Sequence, residues 1–114
     1  MDFSGKNILV VGASGGLGGE FVSSLIAAGA NVYGTAKSNE SATKISDQVA
    51  QKLLLDLESQ DSISTLANYL NSAVKLDGVI VSAGLVAFGL ATDTPNEIDS
   101  KLIQVNYRGP RDLL

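Results

Sequence analysis

A doubly wound α/β fold with a parallel sheet is what this sequence predicts, and three observations predict it. Strand-like apolar runs alternate with helical apolar stripes along the chain, the mark of strands joined by helical crossovers. The first run passes into a helical stripe through the glycine-rich turn Val10-Val11-Gly12-Ala13-Ser14-Gly15-Gly16-Leu17-Gly18-Gly19. The composition agrees, because 45% of the 114 residues are hydrophobic and only 5% aromatic, which suits an aliphatic core. A chain of this length buries roughly 65% of its unfolded surface. One domain over residues 1–114 is expected.

The elements follow in order. Asn7-Ile8-Leu9-Val10-Val11 reads as a buried parallel strand, and Phe21, Val22, Leu25 and Ile26 form a helical stripe ended by Gly29. Asn31 to Thr35 is a second strand, and the polar stretch Ser38 to Asp47 a loop with a short helix. Lys52 to Leu55 is a third strand that ends at Asp56-Leu57. Ile63, Leu66, Ala67 and Leu70 lie at i, i+3, i+4, i+7 on one helical face. Leu76-Asp77-Gly78 turns the chain into a fourth strand, Val79-Ile80-Val81. A loop over 84–94 then precedes a last helix, with Thr94 as cap, Pro95 in its first turn, and Ile98, Leu102 and Val105 on its apolar side.

Right-handed crossovers put these strands in the order 3-2-1-4 with helices on both faces. A ligand then belongs at the carboxyl ends of strands 1 and 4, where the order reverses. The fourth strand is apolar throughout, as interior parallel strands are, yet no strand follows to cover its outer edge. The chain reads as one half of a larger fold. It is expected to self-associate through strand 4 or to capture a complementary C-terminal half.

The glycine turn carries the chemistry. A sharp strand-to-helix turn aims backbone N–H groups and the positive end of the helix dipole at an anion. Glycines at 12, 16 and 18 are needed because side chains would block the turn or hold a phosphate off the backbone. Lys37 follows strand 2, about 20 residues past the turn, where NAD-binding proteins carry an acid for the ribose 2′-hydroxyl. No acid appears there before Glu40. A lysine at that point, with Ser14 in the turn, meets a 2′-phosphate, so NADP is expected rather than NAD. Asp56 has two readings: a ligand acceptor at the end of strand 3, or a cap for the helix that follows.

Charge and composition remove other classes. Eight basic against twelve acidic residues give a net charge of −4, which argues against a nucleic-acid partner. The absence of cysteine excludes disulfides and thiolate chemistry, and the absence of histidine removes the usual base and metal ligand. No metal site is expected. Met1 to Lys6 lacks the form of a secretory signal, and no apolar run approaches the ~18 residues of a membrane helix. No membrane partner is expected, and a cytoplasmic setting follows. No Gly-Lys-Ser/Thr follows the glycines, which excludes a P-loop nucleotidase. The Ser14/Lys37 pair argues against a methyltransferase-like site for a nucleoside without phosphates.

With these residues set out, the sequence resembles the short-chain dehydrogenase/reductase family over all 114 positions, which implies a Rossmann-like fold. Gly12-Ala13-Ser14-Gly15-Gly16-Leu17-Gly18 resembles its Gly-x-x-x-Gly-x-Gly cofactor loop. Asp56-Leu57 is similar to the pair that contacts adenine. Ser82-Ala83-Gly84 resembles the Asn-Ala-Gly segment beside the ribose, with Ser82 in place of the asparagine. Asn106, after Val105, resembles the catalytic-relay asparagine. The resemblance implies the cofactor-binding half of an NADP(H)-dependent oxidoreductase, which moves hydride between nicotinamide and a small carbonyl or alcohol. That family's catalytic serine and Tyr-x-x-x-Lys fall beyond the point corresponding to Leu114. Tyr33 has the bare spacing to Lys37 but stands on strand 2, and Tyr69 and Tyr107 are followed four residues on by Ala73 and Arg111. The 114-residue chain is therefore expected to be inactive alone. The alternative is a nucleotide-binding or sensing module of the same fold without catalysis.

Overall fold

The computed structural model describes residues 2–82 and 104–113. Strands β1 (Asn7–Val11), β2 (Asn31–Ala36), β3 (Gln51–Leu54) and β4 (Gly78–Val81) are parallel and lie in the order β3-β2-β1-β4. Helices α1 (Gly16–Ala27), α2 (Asn39–Ala42) and α3 (Gln60–Ala73) form the crossovers. A π-helical turn, Gln104–Arg108, leads into α4 (Gly109–Leu113). The expected Rossmann-like architecture and strand order are those observed.

The alternation of side chains along β1 builds the two layers. Ile8 and Val10 face a core with Val22 and Leu25 of α1, Val32, and Ile45. Leu9 and Val11 face the opposite core, with Ile63, Leu66 and Leu70 of α3 and with Val105 from the π-helical turn. Leu9, Val10 and Val11 are each at most 1% exposed. Burying each such side chain contributes about 1.5–3 kcal/mol. The central strand is thus anchored from both faces, and its carboxyl end is a rigid place for a turn.

Register explains where the observed strand limits differ from those the sequence predicts. Tyr33 aligns with Gln51 and Ala36 with Leu54, so β2 runs one residue past Thr35 and β3 begins one before Lys52. Leu55 has left the ladder, but its N–H still donates to Ala36 O at 2.9 Å. Gly78 joins β4 because it aligns with Ile8. The short helix expected between Ser38 and Asp47 is α2, where Ser38 and Ser41 form a reciprocal capping box. The expected loop over 84–94, and Thr94, Pro95, Ile98 and Leu102 of the expected last helix, lie outside the described residues.

Among the described residues, β4 pairs with β1 alone, and Val81 is 40% exposed. Among them, too, no helix is long and apolar enough to cross a membrane, and no cluster of metal-ligating side chains occurs.

Candidate functional site

The β1–α1 corner is set by backbone. Gly12 leaves the strand with φ +87°, a left-handed conformation that side-chain-bearing residues rarely adopt. Its N–H donates to Thr35 Oγ1 at 3.1 Å, and the next N–H, of Ala13, donates to Thr35 O at 2.9 Å. Thr35, 1% exposed on β2, thus grips the turn with both side chain and main chain. Gly18 packs directly under it: a Cβ there would overlap the Gly12 carbonyl oxygen and come within 2.8 Å of Ser82 Oγ. A Cβ at Gly16 would meet nothing within 4 Å, so the room above the first turn of α1 is open. The N-cap of α1 is Gly15, no side chain among the described residues caps the helix, and its first turn holds no acid. The twelve-residue helix therefore presents its first N–H groups and dipole without an internal anion.

Ser82, at the end of β4, closes the corner from the other side. Its Oγ lies 3.1 Å from Val11 O and 3.3 Å from Gly12 O, and its N–H donates to Val11 O at 2.9 Å. The serine therefore makes a cross-sheet hydrogen bond at the position where the family pattern has asparagine. The hydroxyl ties β4 to the carbonyl against which Gly18 packs.

The rim opposite is built from side chains. Asp56 follows β3, with its N–H donating to Ser62 Oγ at 2.9 Å and its Oδ1 accepting from the Glu58 N–H at 3.0 Å. The N-cap of α3 is Ser59, whose side chain accepts from the Ser62 N–H, so the capping alternative for Asp56 falls away. Leu57 is buried, and its carbonyl accepts from Gln104 Nε2 at 3.0 Å. Lys37, past the end of β2, donates to Glu58 Oε2 at 3.3 Å. The acid nearest this lysine thus comes from beyond β3, whereas Glu40 lies on α2 and does not line the cavity.

Between corner and rim lies a cavity of about 340 Å³ over the carboxyl ends of the strands. It brings together Gly12, Ser14, Gly15, Lys37, Asp56, Leu57 and Ser82 of the residues singled out in the sequence. Gly16, Leu17 and Gly18 stand beside it on the first turn of α1, with Leu17 65% exposed. Asn106 is exposed on the π-helical turn, next to Val105, which does line the cavity. Ala83 and Gly84 lie outside the described residues. Tyr33 is in mid-β2, packed against the α3-side core. Sequence reasoning missed Thr35 and Glu58. The only signal for Thr35 was a polar residue ending an apolar strand, and for Glu58 its place directly after Asp56-Leu57.

An open glycine-lined turn, an uncapped helix N-terminus and an acceptor-bearing rim fit a dinucleotide cofactor of the class this fold holds. The short chain dehydrogenase family pattern matches residues 6–113, and the chain belongs to that family. It is 34% identical over 110 residues to the 3-oxoacyl-[acyl-carrier-protein] reductase FabG of Salmonella typhimurium, covering 93% of this chain and 45% of that protein. It is 28% identical to the cyclic-di-GMP-binding biofilm dispersal mediator protein of Escherichia coli K12, covering 95% of this chain and 45% of that one. The Pseudomonas aeruginosa RhlG/NADP active-site complex superposes with a TM-score of 0.84 at 27% identity, over 98% of this chain and 46% of that one. The chain spans about half the length of the curated relatives it matches.

Proposed function

We propose that residues 1–114 form the cofactor-binding part of an NADP(H)-dependent short-chain oxidoreductase acting on a small carbonyl or alcohol. The observation that carries this reading is the cavity itself, with an uncapped α1 N-terminus at one end and the Lys37 ammonium at the other. In this reading Gly12, Ser14, Gly15, Gly16, Leu17 and Gly18 hold the pyrophosphate end. Lys37, helped by Ser14, takes the 2′-phosphate, and Asp56 and Leu57 take the adenine. Asp56 Oδ2, which makes no hydrogen bond among the described residues, is the acceptor for the adenine amino group. Ser82, Ala83 and Gly84 line the ribose, and Asn106 serves as the relay. Bound nicotinamide supplies the hydride chemistry, while these residues bind and orient it. A cytoplasmic setting, where such a cofactor is at hand, completes the reading.

Calorimetric titration with NADPH and NADH tests it. Tighter NADPH binding is expected, with the preference lost in Lys37→Ala. A charged hydrogen bond to the 2′-phosphate is worth roughly 1.5–3 kcal/mol, or about ten- to a hundredfold. Equal affinities in the wild type would overturn the NADP assignment. The second reading, a nucleotide-binding module without catalysis, draws on the 28% identity to a protein named for binding a cyclic dinucleotide. A hydride-transfer assay of the 114-residue chain, beside one extended past Leu114, separates the two. The same proposal includes self-association through β4, whose Val81 is exposed. Light scattering should report a change of association state in Val81→Lys.

A further inference from the structure

Lys37 and Glu58 are 21 residues apart in sequence and meet across the rim at 3.3 Å, both lining the cavity. We propose that Glu58 sets the nucleotide selectivity of this site, restraining the Lys37 ammonium so that the rim takes a free ribose 2′-hydroxyl as well as a 2′-phosphate. The proposal rests on the dinucleotide reading above.

Among the described residues, three charged groups line the rim: Lys37, Asp56 and Glu58. The two partners of the ion pair are not equally placed. The Lys37 side chain is 66% exposed and that of Glu58 30%. The Glu58 backbone is pinned through Asp56 Oδ1, and Asp56 in turn through Ser62 at the start of α3. Glu58 is therefore the more firmly seated partner and Lys37 the more exposed one. A 2′-phosphate must draw the ammonium from a carboxylate already in place, and must then sit beside that carboxylate. A 2′-hydroxyl needs neither change, because the Glu58 carboxylate can accept from it directly. An exposed pair of this kind contributes little to folding. Its removal shifts binding without unfolding the domain.

The test is calorimetry with NADPH and NADH on wild type, Glu58→Gln, Lys37→Ala and the double variant, at low and moderate salt. Circular dichroism confirms that each is folded. Glu58→Gln should raise NADPH affinity about tenfold and leave NADH unchanged or weaker, with the gain smaller at higher salt. In the Lys37→Ala background the same change should raise NADPH affinity by less than about threefold, since only the solvent-screened repulsion between carboxylate and phosphate remains to be relieved and no ammonium is left to be released. An NADPH-to-NADH ratio that Glu58→Gln leaves unchanged, in a protein that still loses NADPH preference with Lys37→Ala, overturns the role of Glu58 and leaves the dinucleotide reading standing. A wild type that binds neither nucleotide overturns both.

Discussion

At the β1–α1 corner, shape comes from the main chain: Gly12 at φ +87°, two N–H groups gripped by Thr35, and Gly18 pressed beneath the Gly12 carbonyl. At the opposite rim, character comes from the side chains of Lys37, Asp56 and Glu58, each at least partly exposed. At Gly12 and Gly18 the corner has no freedom to vary without disturbing the fold. The rim can exchange one charge for another and leave the sheet untouched. In the proposed reading, a cavity so divided keeps its hold on a pyrophosphate while changing which nucleotide it prefers. The difference predicts two kinds of mutational outcome, a structural one at the corner and a selective one at the rim.

The largest effect is expected where the corner is tightest. In Gly18→Val the Cβ would overlap the Gly12 carbonyl oxygen, a backbone atom, and crowd Ser82 Oγ, which is hydrogen-bonded to that same oxygen. Overpacking of this kind costs about 1–3 kcal/mol, occasionally more. A branched residue against backbone belongs at the upper end. Urea denaturation should show a large loss of stability, and a midpoint near wild type would mean the corner yields more than its geometry implies.

Gly16→Val separates shape from binding within the same turn. Its Cβ meets nothing within 4 Å, so the fold should hold and the denaturation midpoint should stay close to wild type. The branched side chain would fill the open space above the helix N-terminus, where a pyrophosphate approaches the backbone. Dinucleotide affinity should fall by about a hundredfold, a little under 3 kcal/mol. Near-normal binding in calorimetry would move the phosphate site away from this corner.

That contrast also explains what was legible in the sequence. The corner could be read because a strand, spaced glycines and a helical stripe are local rules of backbone geometry. Strand order followed from the succession of strands and helices along the chain and from right-handed crossovers. The rim was legible only in part. Lys37 could be placed by its distance from the turn, but its partner Glu58 follows a different strand and becomes a neighbour only through β2–β3 pairing. Gln104, 47 residues beyond Leu57, and Val105 after it reach the rim across a separation no local pattern encodes. Thr35 was hidden for another reason: its strand position is ordinary, and only the Gly12 N–H above it makes its hydroxyl matter.

Thr35→Val tests whether that hydroxyl supports the corner. The substitution keeps the branched shape but removes the acceptor for the Gly12 N–H at a site 1% exposed. Leaving a buried donor unpaired costs about 1–3 kcal/mol. A clear but sub-total loss of stability is expected in urea denaturation, with Thr35→Ser closer to wild type. Because the Gly12 peptide lines the cavity, a weaker dinucleotide affinity should accompany it. Unchanged stability would assign the turn to its glycines alone.

The smallest effect is expected at a pair that copies the rim chemistry elsewhere. Lys52 donates to Asp47 Oδ1 at 2.8 Å, but the Asp47 side chain is 97% exposed and neither residue lines the cavity. The hydrogen bond and charge of Lys52 hold the Asp47 carboxyl below its ordinary value. A depressed carboxyl contributes stability that is present at neutral pH and lost as pH falls through its folded value. Here solvent screens nearly all of it. Asp47→Asn should therefore leave the denaturation midpoint unchanged at pH 7, and the variant should match wild type equally well under acid. Its NADPH-to-NADH ratio should also match wild type, in contrast with Glu58→Gln. An ion pair of the same two residue classes, shorter than the one at the rim, would then alter neither folding nor binding. If Asp47→Asn shifted the ratio as much as Glu58→Gln, the effect at the rim would reflect net charge rather than position, and the distinction between a rigid corner and a tunable rim would fail.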